Sequence, residues 1–258
     1  MEQYQYLSEI YDKSMELSGV DYDKWFGKIQ DLLGNDKENI KNILELGCGT
    51  GNITQRLLEY GYEVVGVDIS GEMLSIAKEK LGNFSQKVIF MQQDVCDFDF
   101  DIYEIDMILA VNDLINYITD VADLKNLFAF CYEHLRNGGI LLFDISSKYK
   151  IENILSNNVF FEEDEDYCMI WQNSYDNDEK VIDMYIDIFK KKQGGLYERY
   201  QEEHTQRAYD EDEIVELLKE VGFQNIKMEY IISDNYEKKS ERIFFINEKI
   251  VDTDAGRT

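Results

Sequence analysis

The sequence predicts an α/β fold: an open, mostly parallel sheet with a smaller antiparallel sheet inserted late in the chain. Three observations carry this reading. Short apolar runs alternate with helical patterns from residue 42 to residue 144, as expected of strands joined by crossover helices. The run Asn42-Ile43-Leu44-Glu45-Leu46 meets Gly47, Gly49 and Gly51 at alternate positions, and a helical pattern follows at once. From Phe160 to Gln206 the pattern becomes apolar–polar alternation, broken by Asp176-Asn177-Asp178 and Gly194-Gly195. Those breaks are hairpin signals.

Taken in order, Tyr4 to Leu33 reads as one or two amphipathic helices. Leu7, Ile10, Tyr11, Ser14 and Leu17, then Trp25, Ile29 and Leu32, fall at helical spacing. The first strand, Asn42 to Leu46, is apolar enough to be buried on both faces. The glycines after it lack Cβ atoms, so backbone can come close to a ligand. A helix running from about Ile53 to Tyr60 aims free N–H groups into that turn, and Gly61 ends it. The second strand, Glu63 to Asp68, ends on a carboxylate 21 residues past Gly47. An acid at that position accepts both hydroxyls of an adenosine ribose. Ser70 caps a second helix, Gly71 to Leu81, which carries Met73 in its first turn.

The third strand is Lys87 to Met91, and Asp94-Val95 follow in an acidic run that continues to Asp101. The fourth strand, Ile105 to Val111, delivers the polar run Asn112-Asp113-Leu114-Ile115-Asn116-Tyr117 at its carboxyl end. Open α/β sheets hold their ligands at that end. A helix from about Asp123 to Leu135 is expected to close on Asn137-Gly138-Gly139 as its C-cap, with the fifth strand at Ile140 to Asp144. His134, near that helix end, is read as a core or dipole-favoured histidine with no chemistry. The antiparallel insertion comes next. Asp210 to Glu213 then opens a helix in a D-x-x-E capping arrangement that ends at Gly222. The sixth and seventh strands are Asn225 to Ile231 and Arg242 to Glu248, and Asp252 to Thr258 reads as a frayed polar tail.

Composition narrows the function. A chain of 258 residues, 44% hydrophobic, fits one α/β domain with an insertion. Residues 1–35 form an N-terminal helical piece and residues 158–208 the inserted β piece. The formal charge of −27 repels nucleic-acid phosphates and anionic membranes. No apolar run reaches a membrane span, and Met1-Glu2-Gln3-Tyr4 shows no signal pattern. The four cysteines are scattered with no C-x-x-C pair, which argues against zinc or disulfides and fits a reducing cytoplasm. There is no proline.

The glycine loop discriminates between ligands. A dinucleotide fingerprint spaces its glycines G-x-G-x-x-G, whereas here the spacing is G-x-G-x-G and Asn52 takes the place of the third glycine. Glu45, just before the loop, repels phosphate and suits a cation. The stretch Glu45-Leu46-Gly47-Cys48-Gly49-Thr50-Gly51 resembles the first motif of class I S-adenosylmethionine-dependent methyltransferases. The run Asn112 to Tyr117 is similar to the Asp-x-x-Asn-Tyr run after the fourth strand of many bacterial small-molecule methyltransferases, among them sugar N-methyltransferases. The resemblance spans about Leu44 to Glu248. It implies a Rossmann-like seven-stranded sheet of order 3-2-1-4-5-7-6 with the seventh strand antiparallel.

It further implies S-adenosylmethionine as cofactor. The binding set is Tyr11, Trp25, Glu45, Gly47, Cys48, Gly49, Gly51, Asp68, Ile69, Met73, Asp94, Val95 and Asn112. Asp94 would take the adenine amino group. Asp113, Asn116 and Tyr117 would meet a small-molecule acceptor through an N or O nucleophile, and His204 is the candidate catalytic base. The N-terminal segment and the inserted sheet would act as lids. Methyltransferases that act on amino groups of nucleic-acid bases need a proline-bearing motif after the fourth strand, and those using a cysteine on cytosine need Pro-Cys. A proline-free chain has neither. The expected protein is a monomer or homodimer with no metal, nucleic-acid or membrane partner. The alternatives are an NAD-type oxidoreductase, which would want a third glycine at position 52, and a nonenzymatic adenosyl-ligand binding protein.

Overall fold

The structure, a computed structural model, describes residues 4–97, 102–231 and 240–251. The tail expected to fray at Asp252 to Thr258 lies outside the described residues. Two helices come first, α1 (Ser8–Leu17) and α2 (Tyr22–Leu33). The parallel part follows as β1 (Asn42–Leu46), α3 (Asn52–Tyr60), β2 (Glu63–Asp68), α4 (Gly71–Lys80), β3 (Val88–Gln92) and β4 (Ile105–Ala110). Then come α5 (Leu114–Tyr117), α6 (Val121–His134) and β5 (Leu135–Ser146). A short helix, α7 (Lys148–Lys150), runs into one π turn at Ile151–Leu155. The insertion is β6 (Val159–Glu163), β7 (Tyr167–Asp176), β8 (Val181–Lys191) and β9 (Tyr197–Arg207). The chain closes with α8 (Glu211–Val221), β10 (Gln224–Ile231) and β11 (Arg242–Glu248).

The seven-stranded sheet has the order β10-β11-β5-β4-β1-β2-β3, and β11 runs antiparallel to both of its neighbours. This is the predicted 3-2-1-4-5-7-6 arrangement, with β10 and β11 as its sixth and seventh strands. Side chains alternate between two buried faces. Ile43, Met107, Leu109 and Leu142 pack with α2 and α3 on one face. Leu44, Ile108, Leu141 and Phe143 pack with α6 and α8 on the other. That double burial is why the central strands read as unbroken apolar runs.

The second sheet, β6-β7-β8-β9, is antiparallel throughout. One face of it is covered. Leu7 and Ile10 of the N-terminal segment pack on Tyr167, Met169, Ile186 and Ile188, while Ile151 and Leu155 pack on Tyr175, Ile182 and Met184. Cross-strand register puts His204 opposite Met184 and Glu202 opposite Ile186, so both polar side chains point to that covered face. Among the described residues no helix is long and apolar enough to cross a membrane.

Local expectations differ from the structure at three places. Asn137-Gly138-Gly139 does not cap α6, which passes directly into β5 through extended Leu135. The register between β4 and β5 jumps there instead, where Arg136 reaches back to the Asp106 carboxylate at 2.6 Å. Asp210 makes no side-chain cap on α8. Its carboxylate is taken by Lys148 at 2.7 Å and Lys180 at 2.6 Å. Helices α5 and α7 were not expected, since each is too short to display a period.

Candidate active site

A cavity of about 280 Å³ lies over the carboxyl ends of β1, β2 and β4. Its floor is the loop after β1. Gly47 and Gly49 sit at φ +65° and +55° and line the cavity. A Cβ on Gly47 would stand 3.0 Å from the Leu114 side chain, so the backbone there is bare by necessity. Gly51, at φ +79°, lies off the cavity wall. A Cβ on it would meet Leu81 and Ala77 instead, so it shapes the loop against α4 without touching the cavity.

Asp68 is buried at the rim. Its two oxygens accept the N–H groups of Gly49 at 2.8 Å and Ser70 at 2.9 Å, and each keeps lone-pair capacity for a further donor. Burial raises its pKa, and those N–H groups partly offset the rise. Glu45 is sealed at 2% exposure and accepts the Thr54 hydroxyl at 2.6 Å. Burial pushes it up to about 8. Cys48, Ile69, Met73, Asp94 and Val95 complete the predicted lining. Asp94 accepts the Cys96 N–H with one oxygen.

The N-terminal segment closes one side. Tyr4, Tyr11 and Tyr22 all line this cavity. Asp12 on α1 accepts Thr50 Oγ1 at 2.5 Å, Asn52 Nδ2 at 2.8 Å and Lys80 Nζ at 2.6 Å, which latches α1 to the glycine loop. Burial raises the Asp12 pKa, but Lys80 and the two neutral donors outweigh it and leave the group below its ordinary value. Sequence reasoning missed Asp12 and Tyr4, whose partners are distant in the chain and which no local pattern marks. Tyr22 stands in the aromatic stretch Asp21 to Trp25, which the sequence marks without giving its direction.

A second cavity, of about 400 Å³, adjoins the first, and Tyr4, Tyr11, Asn112 and Tyr117 belong to both walls. Trp25, expected in the cofactor set, lines only this second space. Its ring is pinned against Phe244 with the Arg242 guanidinium 4.9 Å from the ring centre. Arg242 pairs with Asp113 at 2.6 Å and also with Asp144. Burial raises both acids, yet Arg242 holds Asp113 below the ordinary range, while Asp144, more deeply sealed, stays raised. Asn112 and Asp113 adopt left-handed φ values of +63° and +69°, which Asn and Asp tolerate best among residues with a Cβ. The Asn112 N–H donates to Asp144 at 2.7 Å and fixes that turn.

Asn116, expected to touch the acceptor, reaches neither cavity. The α5 turn directs it inward. Its amide accepts the Ser146 N–H and donates to the carbonyls of Ser146 and Arg207, so it clasps β5 to β9. Tyr117 does face both cavities. Its hydroxyl receives the Tyr4 hydroxyl proton at 2.6 Å and stands 3.2 Å from His204 Nδ1. His204 Nε2 is 3.0 Å from Glu202, and both of those side chains are 1% exposed. The first cavity suits an adenosyl amino acid: a bare backbone cradle, a carboxylate with spare acceptor capacity at the end of β2, and a buried acid with no Lys or Arg among the described residues of the lining.

Known proteins match this arrangement. Residues 43–139 fit the methyltransferase domain family. A putative methyltransferase of Bacillus subtilis (strain 168), YqeM, is 35% identical over 95% of this chain and 97% of its own length. A crystal structure of an S-adenosylmethionine-dependent methyltransferase from Clostridium acetobutylicum superposes with a TM-score of 0.83 at 33% identity, covering 97% of this chain and all of that one (100%). The sugar N-methyltransferase KedS8 from a Streptoalloteichus species shares the fold at a TM-score of 0.74 and 18% identity, over 97% of both chains.

Proposed function

This chain belongs to the class I S-adenosylmethionine-dependent methyltransferases, and on that footing we propose that it methylates an amine or hydroxyl of a small molecule held in the second cavity. The dinucleotide oxidoreductase alternative falls with the family. One observation carries the proposal: the two cavities share a wall made of Tyr4, Tyr11, Asn112 and Tyr117. A methyl donor in one and an acceptor in the other would meet across those four side chains.

When bound, S-adenosylmethionine supplies a methyl group on a sulfonium, and its departure leaves a neutral thioether. The protein's own task is to position and to exclude water. Asp68 takes the ribose hydroxyls, Asp94 and Val95 take the adenine end, and Glu45 faces the cationic amino acid end. Gly47, Cys48 and Gly49 let the backbone approach, with Ile69 and Met73 packing around the ligand. The piece formed by residues 1–35 and the inserted sheet at 158–208, which pack on each other, act together as lids. A pocket closed by three separated stretches of chain favours a small acceptor over a polymer, and the charge of −27 favours a neutral or cationic one.

The acceptor cavity is lined by apolar Phe160, Met169, Trp171 and Ile186 and by polar Asp113, Lys150, Arg242 and His204. It therefore fits a molecule that carries its nucleophile among polar groups together with an apolar part. His204 is the group towards which the acceptor's proton leaves. The two tryptophans of the chain both line this cavity, so intrinsic fluorescence reports its occupancy. Protein saturated with S-adenosylhomocysteine should show a fluorescence change with members of a metabolite panel. A response to RNA or to protein, with none to any small molecule, would overturn the acceptor class.

A further inference from the structure

We infer that Tyr117, rather than His204 directly, receives the acceptor's proton, and that Glu202 is a positioning residue that keeps His204 in the tautomer able to draw that proton onward. The inference rests on the small-molecule methyl transfer proposed above. It starts from placement. Tyr117 lines both cavities, whereas His204 lines only the second. Both ring nitrogens of His204 are already engaged, Nδ1 by Tyr117 and Nε2 by Glu202.

Hydrogen counting then sets a direction. Tyr4 donates its hydroxyl proton to the Tyr117 oxygen. The one proton of Tyr117 therefore points to the other partner of that hydroxyl, His204 Nδ1, and the second lone pair of the oxygen remains for the acceptor's proton. Nδ1 must then carry the lone pair, and Nε2 the hydrogen that Glu202 accepts.

Glu202 is built for that acceptance. Its Oε1 takes the N–H groups of Tyr6 at 2.5 Å and Leu7 at 2.8 Å, and its Oε2 takes that of Tyr4 at 3.0 Å. Burial raises its pKa, but the bonds from His204, Leu7 and Tyr6 outweigh burial and keep it below the ordinary range. It therefore stays a carboxylate, holding the imidazole rather than taking its proton. Burial raises the Tyr117 pKa far above that of a free phenol, so Tyr117 passes a proton on only as it receives one. The other groups around the ring are the Tyr4 ring, edge-on at 4.8 Å, and Met184 across the strand. Neither donates to His204.

The step balances. The acceptor's N–H or O–H proton goes to the Tyr117 oxygen as the new N–CH3 or O–CH3 bond forms and the sulfur–methyl bond breaks, with the electron pair left on the thioether. The original Tyr117 proton moves to Nδ1, and the imidazolium pairs with Glu202. The same carboxylate anchors residues 4–7, and Tyr4 supplies the bond that turns the Tyr117 proton towards His204. Docking of the N-terminal segment therefore completes the relay.

The test needs no known acceptor. Protein labelled with 15N-histidine has two imidazoles, and a His134→Gln sample assigns them. In neutral buffer, with and without S-adenosylhomocysteine, His204 should be the Nε2–H tautomer with an unprotonated, hydrogen-bonded Nδ1. In Glu202→Gln the amide can accept from Tyr6 and Leu7 while donating to Nε2, so the tautomer should reverse to Nδ1–H. In Tyr117→Phe the tautomer should stay and the Nδ1 signal should move to that of an unbonded nitrogen. Overturning results are an Nδ1–H or doubly protonated His204 in the wild type, an unreversed tautomer in Glu202→Gln, or an unmoved Nδ1 signal in Tyr117→Phe. Calorimetry of S-adenosylhomocysteine on the same samples reports the methyltransferase site separately, so loss of binding there counts against that site and leaves the tautomer readout intact.

Discussion

If Glu45 faces the cationic end of the cofactor as proposed, cofactor binding should depend on pH. The Glu45 carboxyl is buried and pushed up to about 8 from the ordinary 4.5, so the empty protein carries a proton there at neutrality. A ligand presenting a cation to Glu45 binds the ionised form and must expel that proton. Apparent affinity for S-adenosylmethionine should therefore rise with pH, by at most ~10-fold or ~1.4 kcal/mol per unit, until Glu45 is ionised. From pH ~6 to pH ~8 the gain approaches ~50-fold, because half of Glu45 is already ionised at its pKa of about 8. The stability of the empty protein runs the other way. The folded pKa is raised, so this contribution is full below the unfolded value near 4.5 and is lost as pH climbs through about 8. Titration calorimetry in two buffers of different ionisation heat measures the proton released, which should approach one per ligand near neutrality. Glu45→Gln should abolish the release and flatten the affinity profile. A wild-type affinity independent of pH, with no proton released, would refute the reasoning.

Three further outcomes are expected. Asp68→Ala should weaken S-adenosylhomocysteine binding by about 2 kcal/mol or more, through lost charge-assisted bonds to the ligand and a slackened Gly49. An unchanged dissociation constant would place Asp68 outside the site. Arg242→Met leaves Asp113 and Asp144 buried without their partner, so urea unfolding should show a loss of about 3–5 kcal/mol, with partial recovery in the double variant that adds Asp144→Asn. Asp12→Ala frees α1 from the glycine loop, so limited proteolysis should cut within residues 8–20 faster while the rest of the chain keeps its resistance.

The parallel sheet was legible because its strands are buried on two faces and its turns are punctuated by glycine. Asp68 stood out because its distance from Gly47 is set by one strand–helix–strand unit. The turn Asn112-Asp113 stood out because a polar run directly after a buried strand needs a reason. What stayed hidden depends on distant contacts. Asn116 looked like a ligand residue, and only the approach of β9 to β5 shows why it turns inward. Trp25 carried an aromatic signal but no direction, and its stacking on Phe244 and Arg242 comes from β11. Tyr4 and Asp12 gave no signal, since their hydrogen-bond partners lie between 38 and 198 residues away, and Glu202 gave none because an acid two residues from a histidine on one strand is an ordinary polar alternation.

The central claim is that the acceptor is a small molecule bound beside the cofactor. A bacterial extract separated by size into metabolites and macromolecules tests it directly, with S-adenosylmethionine added and S-adenosylhomocysteine release measured in each fraction. Release with the metabolite fraction, lost in Tyr117→Phe, is the predicted result. Release confined to the macromolecular fraction would contradict it.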